Sequence, residues 1–204
     1  ANKLSSVVYS MNTINHAGKF VCFTAWFSYN QFVESCGEVM KIRIIGPSGS
    51  GKTFLAKRLS EKYHIPVCSL DDLFWDNSKG AYNCKRDENS RDAMLEQKVS
   101  QENWIIEGVQ FSWCESSFAH ADVIYFLDTP PLLCHVRIIR RFLKRKFHRT
   151  SRKNETLSSL VSLLKWTKKF YHVNLPQIRS ALSKYENKVV TLPRKQDIQH
   201  LISR

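Results

Sequence analysis

The sequence predicts an α/β fold in which short apolar strands alternate with amphipathic helices. Ile42, Ile44 and Ile45 form a β-branched run that is typical of a buried strand. Residues 55–63 then place Leu, Leu and Tyr at every fourth position, with charged residues between them, as in an amphipathic helix. The glycine-rich segment 46–53 joins these two pieces. Together they predict a strand–loop–helix unit around which the remaining elements are arranged.

The joining segment satisfies the pattern G-x-x-x-x-G-K-[ST], which describes a loop that cradles phosphates. Its glycines allow the backbone to curl with N–H groups pointing inward, and the following helix presents its positive end to the same point. We expect Lys52 to reach the β- and γ-phosphates of ATP and the Thr53 hydroxyl to bind Mg²⁺. A turn that only connected a strand to a helix would need neither residue. The predicted phosphate-binding residues are Gly46, Ser48, Gly49, Ser50, Gly51, Lys52 and Thr53.

Two further strands are predicted to end on carboxylates. The first covers residues 65–70 and is followed by Asp71, which is a candidate for orienting a phosphoryl acceptor or for holding a Mg²⁺-bound water. The alternative is that Asp71 or Asp72 caps the turn that follows. The second strand covers residues 104–108 and carries Glu107, which would contact the acceptor or hydrogen-bond the neighbouring loop.

A fourth strand, residues 123–127, closes on Asp128, which is a candidate for the magnesium site together with Thr53. The helix after it begins near Pro130, and its apolar face is predicted to consist of Leu133, Val136, Ile139 and Phe142. Guanidinium groups suit phosphate oxygens and offset the charge on a migrating phosphoryl group. We therefore predict that Arg137 and Arg141 of this helix are catalytic. Some of its basic residues form a solvated face, and the roles of the others stay open.

The rest of the domain is predicted from periodicity and turn residues. A helix is expected near 91–99, with a polar loop over 76–89 in front of it that covers the acceptor. Amphipathic helices are expected over 157–173 and 176–185. A last strand at 188–192 and a closing helix at 197–202 complete the chain.

The formal net charge of +13 is unevenly distributed. Residues 137–153 contain nine Lys or Arg and no Asp or Glu, a block that suits nucleic acid, an acidic membrane or the phosphates of a nucleotide. Six cysteines show no C-x-x-C pair, which favours reduced thiols. No stretch approaches the roughly 20 apolar residues of a membrane span. We expect a cytoplasmic protein without a membrane partner, and the oligomeric state stays open.

Residues 1–39 are treated separately from the domain that begins at Met40. Within them, apolar and aromatic residues alternate with polar ones over 21–30, as in a half-buried strand. The segment is expected to be an added edge strand, a docking segment or sequence foreign to the domain. Neither a signal peptide nor a mitochondrial leader is indicated, because the first Arg is Arg43 and no clean apolar region follows a basic start.

Over residues 40–204 the chain resembles small phosphate-loop kinases related to adenylate kinase, and within them bacterial proteins labelled DNA topology modulation, or FlaR-like. The matching pieces are Met40-Lys-Ile-x-Ile-Ile-Gly-x-Ser-Gly-Ser-Gly-Lys-Thr53, Ile65-Pro-Val-x-x-Leu-Asp71-x-Leu-Phe-Trp75, Trp104-Ile-Ile-Glu107-Gly108, Phe126-Leu-Asp128-x-Pro130 with Arg137 seven residues on, and Val189-Val-x-Leu192. The resemblance implies a three-layer αβα phosphate-loop NTPase fold with a five-stranded parallel sheet, ATP with Mg²⁺, and a mobile arginine-bearing helical lid near 138–160.

This chain departs from the family pattern in two places on the acceptor side. The third strand usually ends in Asp-Gly, where this chain has Glu107-Gly108, and residues 76–89 do not align. The combined expectation is an ATP-dependent kinase that transfers the γ-phosphoryl group to a small acceptor such as a nucleoside or nucleotide. The alternative is a nucleic-acid-associated ATPase, for which the sequence offers charge but no helix-turn-helix, zinc finger or aromatic RNA-binding motif.

Overall fold

The computed structural model describes residues 40–76, 84–147 and 156–203, and the statements below concern these stretches. Three predictions fall outside them. They are the character of residues 1–39, the part of the acceptor loop at 77–83, and the tip of the predicted lid at 148–155.

A five-stranded sheet forms the centre of the domain, and all of its strands are parallel. Its strands lie in the order β2-β3-β1-β4-β5, so that β1 is the middle strand. The five-stranded parallel sheet is therefore confirmed. The strand bounds are Lys41–Ile45 (β1), Val67–Ser69 (β2), Trp104–Glu107 (β3), Val123–Phe126 (β4) and Val189–Thr191 (β5).

Helices connect the strands, as parallel pairing requires. Their bounds are Lys52–Tyr63 (α1), Leu70–Phe74 (α2), Glu88–Val99 (α3), Glu115–Ala119 (α4), Pro131–Phe147 (α5), Leu157–Lys169 (α6), Leu175–Leu182 (α7) and Lys195–Ser203 (α8). A π-helical segment, Phe170–Asn174, joins α6 to α7, and a 3₁₀ segment, Ser183–Lys188, follows α7. The short helices α2 and α4 and the π-helical segment were not predicted, and Leu70, which the sequence placed in a strand, begins α2.

The central strands are buried on both faces, which explains their nearly continuous apolar sequences. On one face, Ile45, Ile106 and Phe126 pack in a single cluster with residues of the flanking helices, among them Leu95 of α3 and Ile178 of α7. This packing fixes the strand ends relative to one another. In the register of the sheet, Ile45 of β1 lies opposite Phe126 of β4. Glu107 of β3 lies opposite Ile44 of β1 on one side and Ser69 of β2 on the other.

The predicted apolar face of α5 was largely wrong. The structure buries Cys134, Ile138 and Phe142, whereas Leu133, Val136 and Ile139 are exposed. The reason is a contact with a segment distant in sequence, because α5 packs directly on the loop after β1. A β-carbon added to Gly49 would lie 3.2 Å from Ile138 and 2.8 Å from the Cys134 carbonyl oxygen. Sequence periodicity alone offered two apolar faces and could not choose between them. None of the described helices is long and apolar enough to cross a membrane.

Candidate phosphate-binding site

The carboxyl ends of the parallel strands bring the candidate residues to one edge of the sheet. The loop after β1 lies between the ends of β3 and β4, where the chain connections diverge to the two sides of the sheet. Open α/β sheets bind ligands in the crevice at such a point. Lys52, Asp71, Glu107 and Asp128 all lie in or just after these strand ends.

The curl of the loop depends on two of its glycines. Gly49 has φ +80° and Gly51 has φ +110°, which are conformations that L side chains rarely adopt. Gly46 is required for a different reason: a β-carbon there would lie 2.7 Å from the Leu127 carbonyl oxygen. The loop therefore adopts the tight path that the sequence pattern predicts.

The first turn of α1 is left open for an anion. Gly51 is the N-cap residue and offers no side-chain hydrogen bond, and the first turn contains no acidic residue. Its N–H groups and the positive end of its dipole therefore face the loop without a side-chain cap. Within the described residues, the buried Ser50 hydroxyl oxygen also has no hydrogen-bond partner. This donor set fits phosphate oxygens.

Lys52 folds back over this loop. Its Nζ atom donates a hydrogen bond to the Pro47 carbonyl oxygen at 2.9 Å. Burial lowers the pKa of Lys52, and the carboxylates of Glu107 and Asp71 act in the opposite direction. The ammonium group is thus near both carboxylates, at the point where the loop would hold phosphates.

A hydrogen bond joins Thr53 to Glu107 at the site. The Thr53 hydroxyl donates to Glu107 Oε1 at 3.0 Å, which joins the first turn of α1 to the end of β3. Glu107 is 7% exposed, and this hydrogen bond accounts for one of its oxygens. Glu107 therefore hydrogen-bonds the first turn of α1, and its predicted contact with the acceptor stays a prediction.

Asp71 lies in the first turn of α2 and is exposed. Its Oδ1 atom accepts a hydrogen bond from Gln110 Nε2 at 2.7 Å. A second contact joins the same segments, because the ring of Phe74 stacks on Trp113 with centroids 6.3 Å apart. The segment after β3 therefore fixes the position of α2 and of its carboxylate. Ser69 is the N-cap residue of α2, so the structure does not use Asp71 as the cap.

Asp128 pairs with a residue that the sequence analysis did not single out. Arg179 of α7 donates to Asp128 Oδ2 at 2.7 Å. The structure therefore gives Thr53 and Asp128 different partners, and among the described residues no group of three or more His, Cys, Asp or Glu could hold a metal ion. The predicted magnesium role of Asp128 stays a prediction.

The two predicted catalytic arginines occupy different positions. Arg137 Nη1 donates to the carbonyl oxygens of Ser50 at 2.9 Å and Gly49 at 3.2 Å, so it contacts the loop backbone directly. Arg141 lies one turn further along α5 and is exposed. The structure thus brings Arg137 into contact with the loop, and the catalytic role of both arginines stays a prediction.

Arg43, in the middle of β1, is fully buried and was missed. Its guanidinium donates to the carbonyl oxygens of Ile44 at 2.6 Å and Gln110 at 2.8 Å, with longer bonds to Ile106 and Gly108. Burial lowers its pKa. The bonds lie on both sides of Glu107, so Arg43 supports the segment that carries Glu107 and Gln110. An arginine inside the apolar run of a central strand was the available signal.

No protein-family model matches this chain, and no curated protein sequence matches it. Among solved structures, a shikimate kinase from Acinetobacter baumannii in complex with shikimate is similar, with a TM-score of 0.51 and 17% identity over 83% of this chain and 92% of that one. The fold is that of the small phosphate-loop kinases.

Two other structures with this phosphate-loop kinase fold align less well. A gluconokinase from Sinorhizobium meliloti 1021 has a TM-score of 0.49 and 18% identity, covering 80% of this chain and 87% of its own. A shikimate kinase from Bacteroides thetaiotaomicron has a TM-score of 0.47 and 17% identity, covering 81% and 96%. At 17% identity, the similarity to the Acinetobacter baumannii shikimate kinase shows the fold alone.

Proposed function

We propose that this protein is an ATP-dependent phosphotransferase that moves the γ-phosphoryl group to a small acceptor. The observation that carries the proposal is the Thr53–Glu107 hydrogen bond of 3.0 Å beside Lys52, at the start of an uncapped helix. A loop that binds phosphates, a cation that neutralises them and a carboxylate next to the threonine hydroxyl are the parts that phosphoryl transfer requires. A plain connecting turn explains none of these contacts.

Each residue has a role that follows from its position. Lys52 and the loop N–H groups hold the phosphates, and Arg137, which contacts the loop backbone, keeps the loop in shape beside the transferring group. Thr53 would hold Mg²⁺, with Glu107 or Asp128 as the nearby carboxylate; the ion, when bound, offsets negative charge on the phosphates. Asp71, fixed by Gln110, orients the acceptor hydroxyl and accepts its proton.

The acceptor belongs to the class of small hydroxyl compounds, and we propose a nucleoside or nucleotide. Positioning and charge neutralisation supply most of the catalysis in this chemistry, so the site needs no nucleophilic side chain. Shikimate and gluconate also belong in any test panel, because the similar structures are named as kinases of these compounds. The finer resemblance to FlaR-like proteins remains a prediction.

The test is ATP consumption by the full chain with Mg²⁺ against nucleosides, nucleoside monophosphates and small hydroxy acids. We expect one class to raise turnover and to appear phosphorylated in the ³¹P NMR spectrum of the products. ATP consumption that yields only inorganic phosphate with every compound would contradict a kinase.

A nucleic-acid-associated ATPase is the second candidate. It is favoured by α5, whose sequence contains six Lys or Arg and no acidic residue. This candidate predicts that DNA or RNA raises ATP turnover and that the stimulation falls steeply with salt. A parallel sample with DNA at moderate salt therefore separates the two functions.

A further inference from the structure

Helix α5 carries an apolar stripe that the domain core does not use. Leu132, Val136, Ile139 and Leu143 recur every three or four residues, which places them on one face of the helix. They are 73%, 43%, 38% and 44% exposed, and Phe147, 80% exposed, continues the stripe at the end of the helix. Single exposed apolar residues are ordinary, but a contiguous stripe of this kind marks an interaction site.

Helix α6 extends this surface. Leu157 and Val161, which are 62% and 49% exposed, lie on one face of α6 together with Leu164. A shallow hollow of about 290 Å³ lies between the two helices and joins their stripes, and it is lined by His135, Ile139, Leu164, Lys165 and Lys168. We call the two stripes and this hollow the α5–α6 face.

The charges of the α5–α6 face all have one sign. Helix α5 contains six Lys or Arg and α6 contains three, and neither helix contains Asp or Glu. Arg140 and Lys144 follow the stripe of α5 by one position, so they flank it. Lys165 and Lys168 lie in the hollow itself. The surface is therefore apolar with a basic border, and its partner should be apolar and acidic.

Three kinds of partner fit this face poorly, namely a second copy of the chain, nucleic acid and an acidic helix of another protein. A second copy of the chain would bring like charges together. Nucleic acid would pair with the charges but would leave the aliphatic stripe exposed to water, because bases stack on aromatic rings and guanidinium planes. An acidic helix of another protein would need a groove, yet the hollow is shallow and the most exposed residues, Leu132 and Phe147, do not line it.

We propose that the α5–α6 face binds the surface of an anionic lipid bilayer. Aliphatic side chains enter the boundary between headgroups and acyl chains, while the long basic side chains extend to the lipid phosphates. The inference departs from the expectation of no membrane partner, and it requires no membrane-spanning helix. It does not depend on the proposed phosphotransferase activity, because the binding is measured without ATP.

The experiment is co-sedimentation of the full chain with vesicles of equal parts phosphatidylcholine and phosphatidylglycerol, and with vesicles of phosphatidylcholine alone. We expect binding to the anionic vesicles and roughly a tenfold or greater loss on the neutral ones, since each basic residue near an anionic surface contributes about fivefold. Equal binding to both, or binding to neither, would overturn the proposal.

Paired variants separate a bilayer from nucleic acid. Leu132→Ser with Leu143→Ser should weaken vesicle binding by roughly tenfold or more and leave DNA binding unchanged. Arg140→Gln with Lys144→Gln should weaken both. Val67→Ser, at a similarly exposed valine on the edge strand β2, is the matched control and should bind vesicles as the wild type does.

Thermal unfolding of each variant is the control for folding. We expect every variant to fold, because exposed positions on a helix tolerate such changes. If the leucine variant binds anionic vesicles as well as the wild type while the charge variant does not, the aliphatic stripe does not enter the bilayer and the proposal is wrong.

Discussion

At the scale of single residues, the candidate for the magnesium site depends on which carboxylate lies beside Thr53. The sequence offered three strand-end carboxylates, Asp71, Glu107 and Asp128, and favoured Asp128 for magnesium. In the structure Thr53 hydrogen-bonds Glu107, while Asp128 pairs with Arg179. The contact between residues 53 and 107 is non-local, so no local pattern could have shown it.

Replacing each carboxylate by its amide tests this difference. Glu107→Gln should lower acceptor-dependent ATP turnover by roughly tenfold to a hundredfold, because the partner of Thr53 loses its charge. Asp128→Asn, the matched variant, should lower turnover less, since its carboxylate is already paired with Arg179. Steady-state kinetics over a range of Mg²⁺ concentrations measures both. A larger effect from Asp128→Asn would return the magnesium role to Asp128.

Arg43 supplies a second test at this scale. Arg43→Met removes the guanidinium that holds the backbone around Glu107 and Gln110, so we expect acceptor-dependent turnover to fall by roughly tenfold to a hundredfold. The affinity for ATP should change little, because the guanidinium of Arg43 donates to the backbone of β1, of β3 and of the segment after β3. Nucleotide titration and kinetics together give the answer.

Arg43→Lys is the control for Arg43→Met. It retains a positive charge but cannot donate to several carbonyl oxygens at once, so its turnover should be intermediate. A methionine variant with a lowered melting temperature and normal turnover would limit Arg43 to a structural role.

At the scale of elements, the phosphate loop is shaped by α5 as well as by its own glycines. The backbone of Gly49 lies against Cys134, and Arg137 donates to the carbonyl oxygens of Gly49 and Ser50. Helix α5 thus packs against the phosphate loop and also contributes to the exposed α5–α6 face. Movement of α5 would therefore change the phosphate loop.

Gly49→Ala tests the contact between the loop and α5. The new methyl group would lie 2.8 Å from the Cys134 carbonyl oxygen, and φ is +80°, so we expect a loss of about 2 kcal/mol or more in stability together with weaker ATP binding. Thermal unfolding and nucleotide titration measure the two effects.

Gly51→Ala is the matched variant, because its φ is also positive but its nearest neighbour is 3.9 Å away. It should lose stability through backbone strain alone, and so lose less than Gly49→Ala. Equal losses in the two variants would show that the contact with α5 is unimportant.

The elements themselves were largely predictable, because their signals are local. The β-branched run at 42–45 and the loop pattern that follows it fixed β1 and α1 in advance. The buried face of α5 was not predictable, because it depends on the phosphate loop, which is distant in sequence. The burial of Arg43 was signalled by its place in an apolar strand, but its carbonyl partners at Ile106, Gly108 and Gln110 lie on a distant segment. The π-helical segment Phe170–Asn174 was read as ordinary helix, since its periodicity differs little from that of α6.

At the scale of the whole molecule, the fold and the charge point to different properties. The strand order and the similarity to a shikimate kinase establish a phosphate-loop kinase fold. The net charge of +13 exceeds what a nucleotide's phosphates require, and helices α5 and α6 together contain nine of the basic residues. The proposed phosphate binding inside the crevice and the proposed bilayer binding outside it use separate parts of α5.

The central claim is that phosphoryl transfer takes place at the loop after β1, and the most direct measurement compares the wild type with Lys52→Ala. Both proteins are assayed for ATP consumption and for phosphorylated product with the best acceptor of the panel. The account predicts that Lys52→Ala remains folded by circular dichroism and loses turnover by roughly two orders of magnitude or more. Unchanged turnover in the folded variant would contradict the assignment of this loop as the phosphate site.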